Sequence, residues 1–378
     1  MTESRHSLGS RDGYRRWALD SLERTDIAAL GDLLSSAWAH DYAGEAYPEF
    51  NADLLNRMMA PDGAVAVLVE TSAGRPVGFE LAMPRSITRD GQRFSTYYVT
   101  AFATAPDLRR QGLGRYVLEG INDVVFKQRD ADLIFSCFHE GHAGSHTVQA
   151  TFASLTGHAV CQFAHSSLYS RRIADEEDGS EDKRQGQVDD AIALEAGPKM
   201  TILAGPLGPD PNAAPDIKGQ AYVPTRSLAE LNSLATNGFA AGFALSESFE
   251  QLYLQGSNEH QGSLWFEFPH GGQVWITYWI LPLAIDQRSI GTCAQLQTIA
   301  DSGVDSCQLA QAIDQAERYF YQHGCRAMVL LDAGSVDGKA CEHLGFRAGD
   351  GLTLAVRGPH GSVRAFEGTG KPLFIDLL

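Results

Sequence analysis

Apolar and polar positions alternate along this chain in two distinct rhythms. Residues 27–41, IAALGDLLSSAWAHD, put their apolar side chains at helical spacing behind a Thr25-Asp26 cap. Residues 64–70 (AVAVLVE) and 77–83 (VGFELAM) are apolar strand runs around the turn TSAGRP, which predicts a hairpin. The turn TRDGQR then leads into STYYVTAFAT, rich in β-branched and aromatic residues. PDLRRQGLG follows, then the amphipathic helix RYVLEGINDVVFKQ and the apolar strand DLIFSCF. Strand, loop, helix and closing apolar strand in that order predict a βαβ crossover, and so a mixed, partly parallel α/β sheet.

The C-terminal half repeats this order less clearly. Residues 227–243 and 246–255 have helical spacing, and SLWFEFP and QVWITYWILPLA form a hairpin around HGG. The helix CQLAQAIDQAERYFYQHG ends at Gly324 and precedes the strand CRAMVLLDA. Between the halves, residues 171–198 are acidic and nearly free of aromatics, which predicts a solvated linker. The expected division is a flexible tail over 1–12, an α/β domain over 13–170, the acidic linker over 171–198 and a second α/β domain over 199–378.

Composition narrows the partners. In 378 residues, 44% hydrophobic and 20% charged, no segment is apolar for long enough to span a bilayer, and residues 1–13 contain no signal-like apolar core. The six cysteines are scattered without a CxxC. A cytoplasmic protein with reduced thiols, and no membrane association, is therefore the expectation. A net charge of −17 disfavours nucleic acid and favours cationic small molecules. The sequence says nothing of oligomeric state.

The most informative run is Arg109-Arg110-Gln111-Gly112-Leu113-Gly114-Arg115, between a strand and a helix. A helix N-terminus presents unpaired N–H groups and a positive dipole end, and glycines let that backbone approach a phosphate. Arg109, Arg110 and Arg115 add charge-assisted contacts to a diphosphate or a 3′-phosphate. The spacing is neither a Walker A loop nor a dinucleotide fingerprint.

FATAPDLRRQGLGRYVL resembles motif A of the GNAT acetyltransferases, whose Arg/Gln-x-x-Gly-x-Gly/Ala pattern Arg109, Gly112 and Gly114 meet. The resemblance covers about residues 13–170. It implies a GNAT-type fold and an acyl-CoA co-substrate such as acetyl-CoA. Amides 110–115 then grip the diphosphate, and the backbone around Phe102, Ala103 and Thr104 pairs with the pantetheine arm. ACEHLGFRAGDGLTLAV resembles the same family's closing helix and strands, but no Arg-x-x-Gly-x-Gly follows ITYWILPLA. A degenerate second copy is expected.

The implied activity is N-acyl transfer, by direct attack, to an amine of a small molecule. Alternatives are a carrier-protein phosphopantetheine or aminoacyl-tRNA donor, or a non-catalytic acyl-CoA sensor. Direct attack needs a group that takes the ammonium proton and a donor for the thioester oxygen. Tyr98 stands where some family members carry a glutamate; strand alternation sends its neighbour Tyr97 to the opposite face. Glu80 is a carboxylate amid apolar residues, open to use as base or amine anchor. His139, at the end of the closing strand, is a candidate base. His139, His142 and His146 match no zinc spacing, so no metal is expected. The family's tyrosine acid, four residues before a Gly-Phe, has no counterpart. Counting back from Gly157 and Gly345 reaches Ala153 and Cys341, leaving Ser145 and Ser154 as fallback donors. Cys137 and Cys341 read as structural cysteines.

Overall fold

A computed structural model describes residues 5–22, 26–140, 143–155, 158–173, 198–203, 241–243, 260–332, 338–367 and 373–374. Among these residues the strands form one sheet of 16.

In the N-terminal half, β1 (Arg5–Arg11) and β2 (Tyr14–Leu19) precede α1 (Ile27–Asp41), β3 (Tyr47–Pro48) and α2 (Ala52–Met59). Next come β4 (Val65–Thr71), β5 (Pro76–Arg89), β6 (Gln92–Thr104), α3 (Leu113–Asn122), β7 (Leu133–His139), α4 (Ala143–Ser154) and β8 (Ala159–Arg172). The C-terminal half carries β9 (Lys199–Leu203), β10 (Ala241–Phe243), β11 (Gln261–Glu267), β12 (Gln273–Ile285) and β13 (Arg288–Ser302). Then follow α5 (Ser306–Gln322), β14 (Cys325–Asp332), α6 (Gly338–His343), β15 (Arg347–Gly358), α7 (His360–Arg364) and β16 (Leu373–Phe374).

The expected hairpins form. Asp90-Gly91 and Asp286-Gln287 have positive φ at both central residues, the two-residue turn whose twist suits flanking strands. Residues 5–11, expected to be tail, instead make β1. It pairs with β2 at the sheet edge with both faces largely exposed, so its sequence lacks the apolar alternation that marks a half-buried strand. Ala241–Phe243, expected to end a helix, pairs with the far end of β5 as β10. The remaining residues of that segment, all of 246–255 and the acidic stretch 174–197 lie outside the described residues.

The strand order is β1-β2-β4-β5-β6-β7-β15-β8-β14-β13-β12-β11-β9. Two parallel pairs, β6/β7 across α3 and β13/β14 across α5, mark two equivalent halves. The halves exchange their closing strands. β15 from the C-terminal half lies between β7 and β8, while β8 from the N-terminal half pairs with β14. β3 also pairs with β12. The boundary expected at residue 170 therefore separates segments of chain, but each segment supplies a strand to the other's part of the sheet.

α1 and α2 pack on one face of the N-terminal half of the sheet and α3 on the other. The contact with α3 is close: a Cβ at Gly78 on β5 would lie 2.7 Å from Val117 Cγ2. Gly78→Ala should lower the stability by about 1–3 kcal/mol, read as an earlier urea midpoint at unchanged slope.

Candidate active site

Two local departures from regular structure create the site. The first is at the start of α3. Gly112 caps the helix with φ 77° and ψ 5°, and no side chain bonds the free amides there. The first turn contains no acidic residue, and the Gly112 carbonyl accepts from Tyr116 N at 3.0 Å. The N–H groups of the first turn thus face outward with the positive end of the helix dipole. Arg110, also at positive φ (63°), is exposed, and Arg115 pairs with Glu119 at 3.0 Å. Tyr14 donates to Gln111 Oε1 at 3.3 Å.

Arg109 has a different role from the one its sequence position suggested. Its guanidinium donates to both carboxylate oxygens of Asp41, at 2.6 and 2.9 Å, so it braces the loop against the last turn of α1. A bidentate pair fixes orientation as well as charge.

The second departure is in β6. Phe79 pairs with Ala103 but Leu81 pairs with Thr100, so β6 carries one extra residue opposite Glu80. Ala101 takes φ 53°, a β-bulge that re-aims the backbone. β6 pairs with β7 only from Thr96 to Val99, against Leu133 to Ser136. Beyond that point the strands part, leaving the β7-facing edge of residues 100–104 outside any ladder among the described residues. The Phe102 carbonyl accepts from the Trp38 indole at 3.3 Å. A Cβ at Gly114 would meet Phe102 Cζ at 3.3 Å and Thr104 Cγ2 at 3.7 Å, so these side chains reach the start of α3. The bulged edge and the uncapped amides are thus neighbours.

The three catalytic candidates do not converge. Glu80 and Met83 are three apart on β5 and so point to opposite faces; Met83 is the partner of Tyr98. Glu80 lies on the α3 face, 2% exposed, where burial pushes its carboxyl above the usual range and the charge of Arg357 partly offsets this. Tyr98 lies on the α1 face, buried against the Phe135 ring at 5.6 Å. Tyr97 donates to the Gly63 carbonyl at 3.2 Å and is buried, which pushes its hydroxyl up.

His139 alone stands at the mouth of the gap, half-buried, with its ring 5.6 Å from that of Tyr42. Tyr42 stacks on Trp38 at 5.1 Å, and burial, then the charge of Asp41, raises its hydroxyl pKa. The last turn of α1 thus contributes Trp38, Asp41 and Tyr42 to the site, residues that helical periodicity marks only as amphipathic. Cys137, on β7 nearby, is pushed up to about 12 by burial, which makes it a poor nucleophile. His146 Nε2 lies 2.7 Å from the Glu140 carbonyl, and the Glu140 carboxylate bonds His165 and Thr353. His142 lies outside the described residues, as does the side chain of Ser145; Ser154 donates to the Thr151 carbonyl within α4.

The C-terminal half provides the contrast. There α5 follows β13, and its N-terminus is already filled. The Asp305 carboxylate accepts from Gln308 N at 2.8 Å, and the Gln308 side chain accepts from Asp305 N at 3.0 Å. This capping box satisfies the amides and puts negative charge where a phosphate would sit.

Neither a family model nor a curated protein sequence matches this chain. Solved structures do. Saccharomyces cerevisiae N-myristoyltransferase with bound myristoyl-CoA superposes with a TM-score of 0.65 at 15% identity, covering 93% of this chain and 84% of that one. A structure of that enzyme with myristoyl-CoA and inhibitors gives 0.65 at 14% identity, over 93% and 81%. The likeness is one of fold. What is shared is a mixed, partly parallel α/β sheet of the GNAT-like kind. Among the described residues, no helix is long and apolar enough to cross a membrane.

Proposed function

We propose that this chain is an N-acyltransferase that moves a short acyl group from a coenzyme A thioester to an amine of a small molecule. The observation that carries the reading is the uncapped N-terminus of α3 beside the bulged, unladdered edge of β6. A diphosphate is a natural occupant of such amides, with Arg110 and Arg115 beside it. The open edge of residues 100–104 offers the pantetheine amides a strand to pair with. That pairing would carry the thioester to the bulge at Ala101–Phe102, where a re-aimed backbone N–H can polarise its carbonyl.

The amine would attack from the α1 face. The new N–C bond forms as the C–S bond breaks, the ammonium proton passes to a base, and the departing thiolate takes up a proton. His139 is the candidate base and Tyr42 its neighbour. Trp38, Tyr42 and His139 surround this approach with aromatic rings, and together with the net charge of −17 they favour a cationic acceptor. Acetyl-CoA is the simplest donor; a fold shared with a myristoyl-CoA-binding enzyme supports a CoA thioester without setting the chain length.

Calorimetric titration with CoA, followed by thiol release from acetyl-CoA over a panel of amines, tests the reading. Saturable CoA binding and amine-dependent thiol release are expected. Absence of CoA binding at millimolar concentration would refute it, and binding without release on any amine would mark a sensor instead.

A further inference from the structure

Beneath α3 and α4, buried polar side chains lack hydrogen bonds. Arg357 on β15 is 3% exposed, and its Nε, Nη1 and Nη2 have no acceptor. Glu80 Oε2 and both amide atoms of Asn122 are likewise without a partner, in residues 2% and 4% exposed.

The register places these groups on one face of the sheet, under α3 and α4. Glu80 pairs with Val67, whose Cγ1 would be 2.8 Å from a Cβ at Gly120 of α3. The Arg357 guanidinium carbon lies 3.2 Å over the ring of Phe152 on α4. Phe152 clusters with Leu118 of α3, and Asn122 is one turn further along the same ridge. Glu80 and Arg357 feel each other's charge. Leaving several desolvated donors and acceptors unpaired is costly, so these groups call for a polar partner.

Its position says which. The ridge Gly114, Leu118, Asn122 starts at the phosphate cradle and runs past Phe102, which packs against the same cluster. Arg357 pairs with Ile134 on β7, and Ile134 with Tyr97 on β6, whereas the strands part beyond Val99. The root of Arg357 is therefore roughly 10 Å, three strand residues, from the mouth of the gap. That is within reach of an extended arginine and a short acyl chain.

Resting on the acyl-CoA reading above, we infer that the donor's acyl group ends in a carboxylate, a dicarboxylic acid half-thioester, received by Arg357 and Asn122 under α3. A guanidinium receives a carboxylate bidentately, which a methyl terminus cannot reproduce. Burial raises the Glu80 carboxyl above its ordinary range, so in its protonated form it can donate to the incoming carboxylate instead of repelling it. A long aliphatic tail would leave the guanidinium desolvated and unpaired.

The test titrates the full-length protein with CoA and with succinyl-CoA and butyryl-CoA, two thioesters whose acyl chains match in length and differ at the terminus. Succinyl-CoA should bind about 10- to 100-fold more tightly than butyryl-CoA, the range expected of a hydrogen bond to a charged group. Arg357→Met should remove the preference, and Asn122→Leu, which deletes no charge, should reduce it if Arg357→Met fails to fold. Equal binding of the two thioesters, or a preference that survives both substitutions, overturns this inference and leaves the acyl-CoA reading intact. Absence of CoA binding overturns both.

Discussion

Gly112→Asp should raise the Kd for CoA by about 100-fold or more while the protein stays folded. Asp is among the few side chains that tolerate the left-handed backbone found there, φ 77°, and no atom lies within 4 Å of the new Cβ, so the substitution should cost only about 1 kcal/mol of stability. What changes is the charge at the mouth of the amides. Two unit charges 4 Å apart near a protein surface repel by about 4 kcal/mol, which exceeds the roughly 2.7 kcal/mol of a hundredfold loss even after allowance for salt. The change copies into α3 what Asp305 already does for α5, where the cap fills the helix end. Gly112→Ala is the control: it carries the backbone penalty without the charge and should weaken CoA far less. Calorimetry measures the affinities and circular dichroism the fold. Wild-type affinity in Gly112→Asp would mean that the phosphates bind elsewhere.

The parts of this molecule legible in its sequence are those set by local rules. The hairpin around Asp90-Gly91, the apolar runs of β4 and β7 and the glycine-rich entry to α3 each follow from turn chemistry, period or capping, and each is in place. What escaped depends on neighbours remote in sequence. Arg109 reads as a phosphate ligand until Asp41, 68 residues away, is seen to hold it. Tyr42 reads as the end of an amphipathic helix until β7 brings His139 beside it. Glu80 stood out as a carboxylate in an apolar strand, but the charge it feels, that of Arg357, equally anomalous in GLTLAVRG, lies in the other half of the chain. β15 itself looks like the closing strand of a C-terminal domain. No periodicity tells which of two equivalent halves of the sheet a strand will join, because both offer the same alternation and the same ladder.

That exchange has a large consequence for the halves when separated. Produced alone, a fragment of residues 1–185 should fail to fold cooperatively and should not bind CoA, although it contains the whole uncapped start of α3. Without β15, strands β7 and β8 have no partner on their facing edges, since each pairs there with β15 and not with the other. The missing strand also takes Leu352, Leu354 and Val356 from the core, all at most 5% exposed. Each such side chain contributes about 1.5–3 kcal/mol on full burial, and a domain has only about 5–15 kcal/mol of net stability. Unpaired edges flanked by apolar side chains favour aggregation. Co-expression with residues 186–378 should restore a complex that co-elutes on size exclusion, unfolds in one transition and binds CoA, because β8 and β15 tie the fragments together through three ladders and a shared core. A 1–185 fragment that unfolded cooperatively and bound CoA as the full chain does would mean that the closing strand of the N-terminal half comes from its own sequence. β15 would then be an addition to that half and not a part of it.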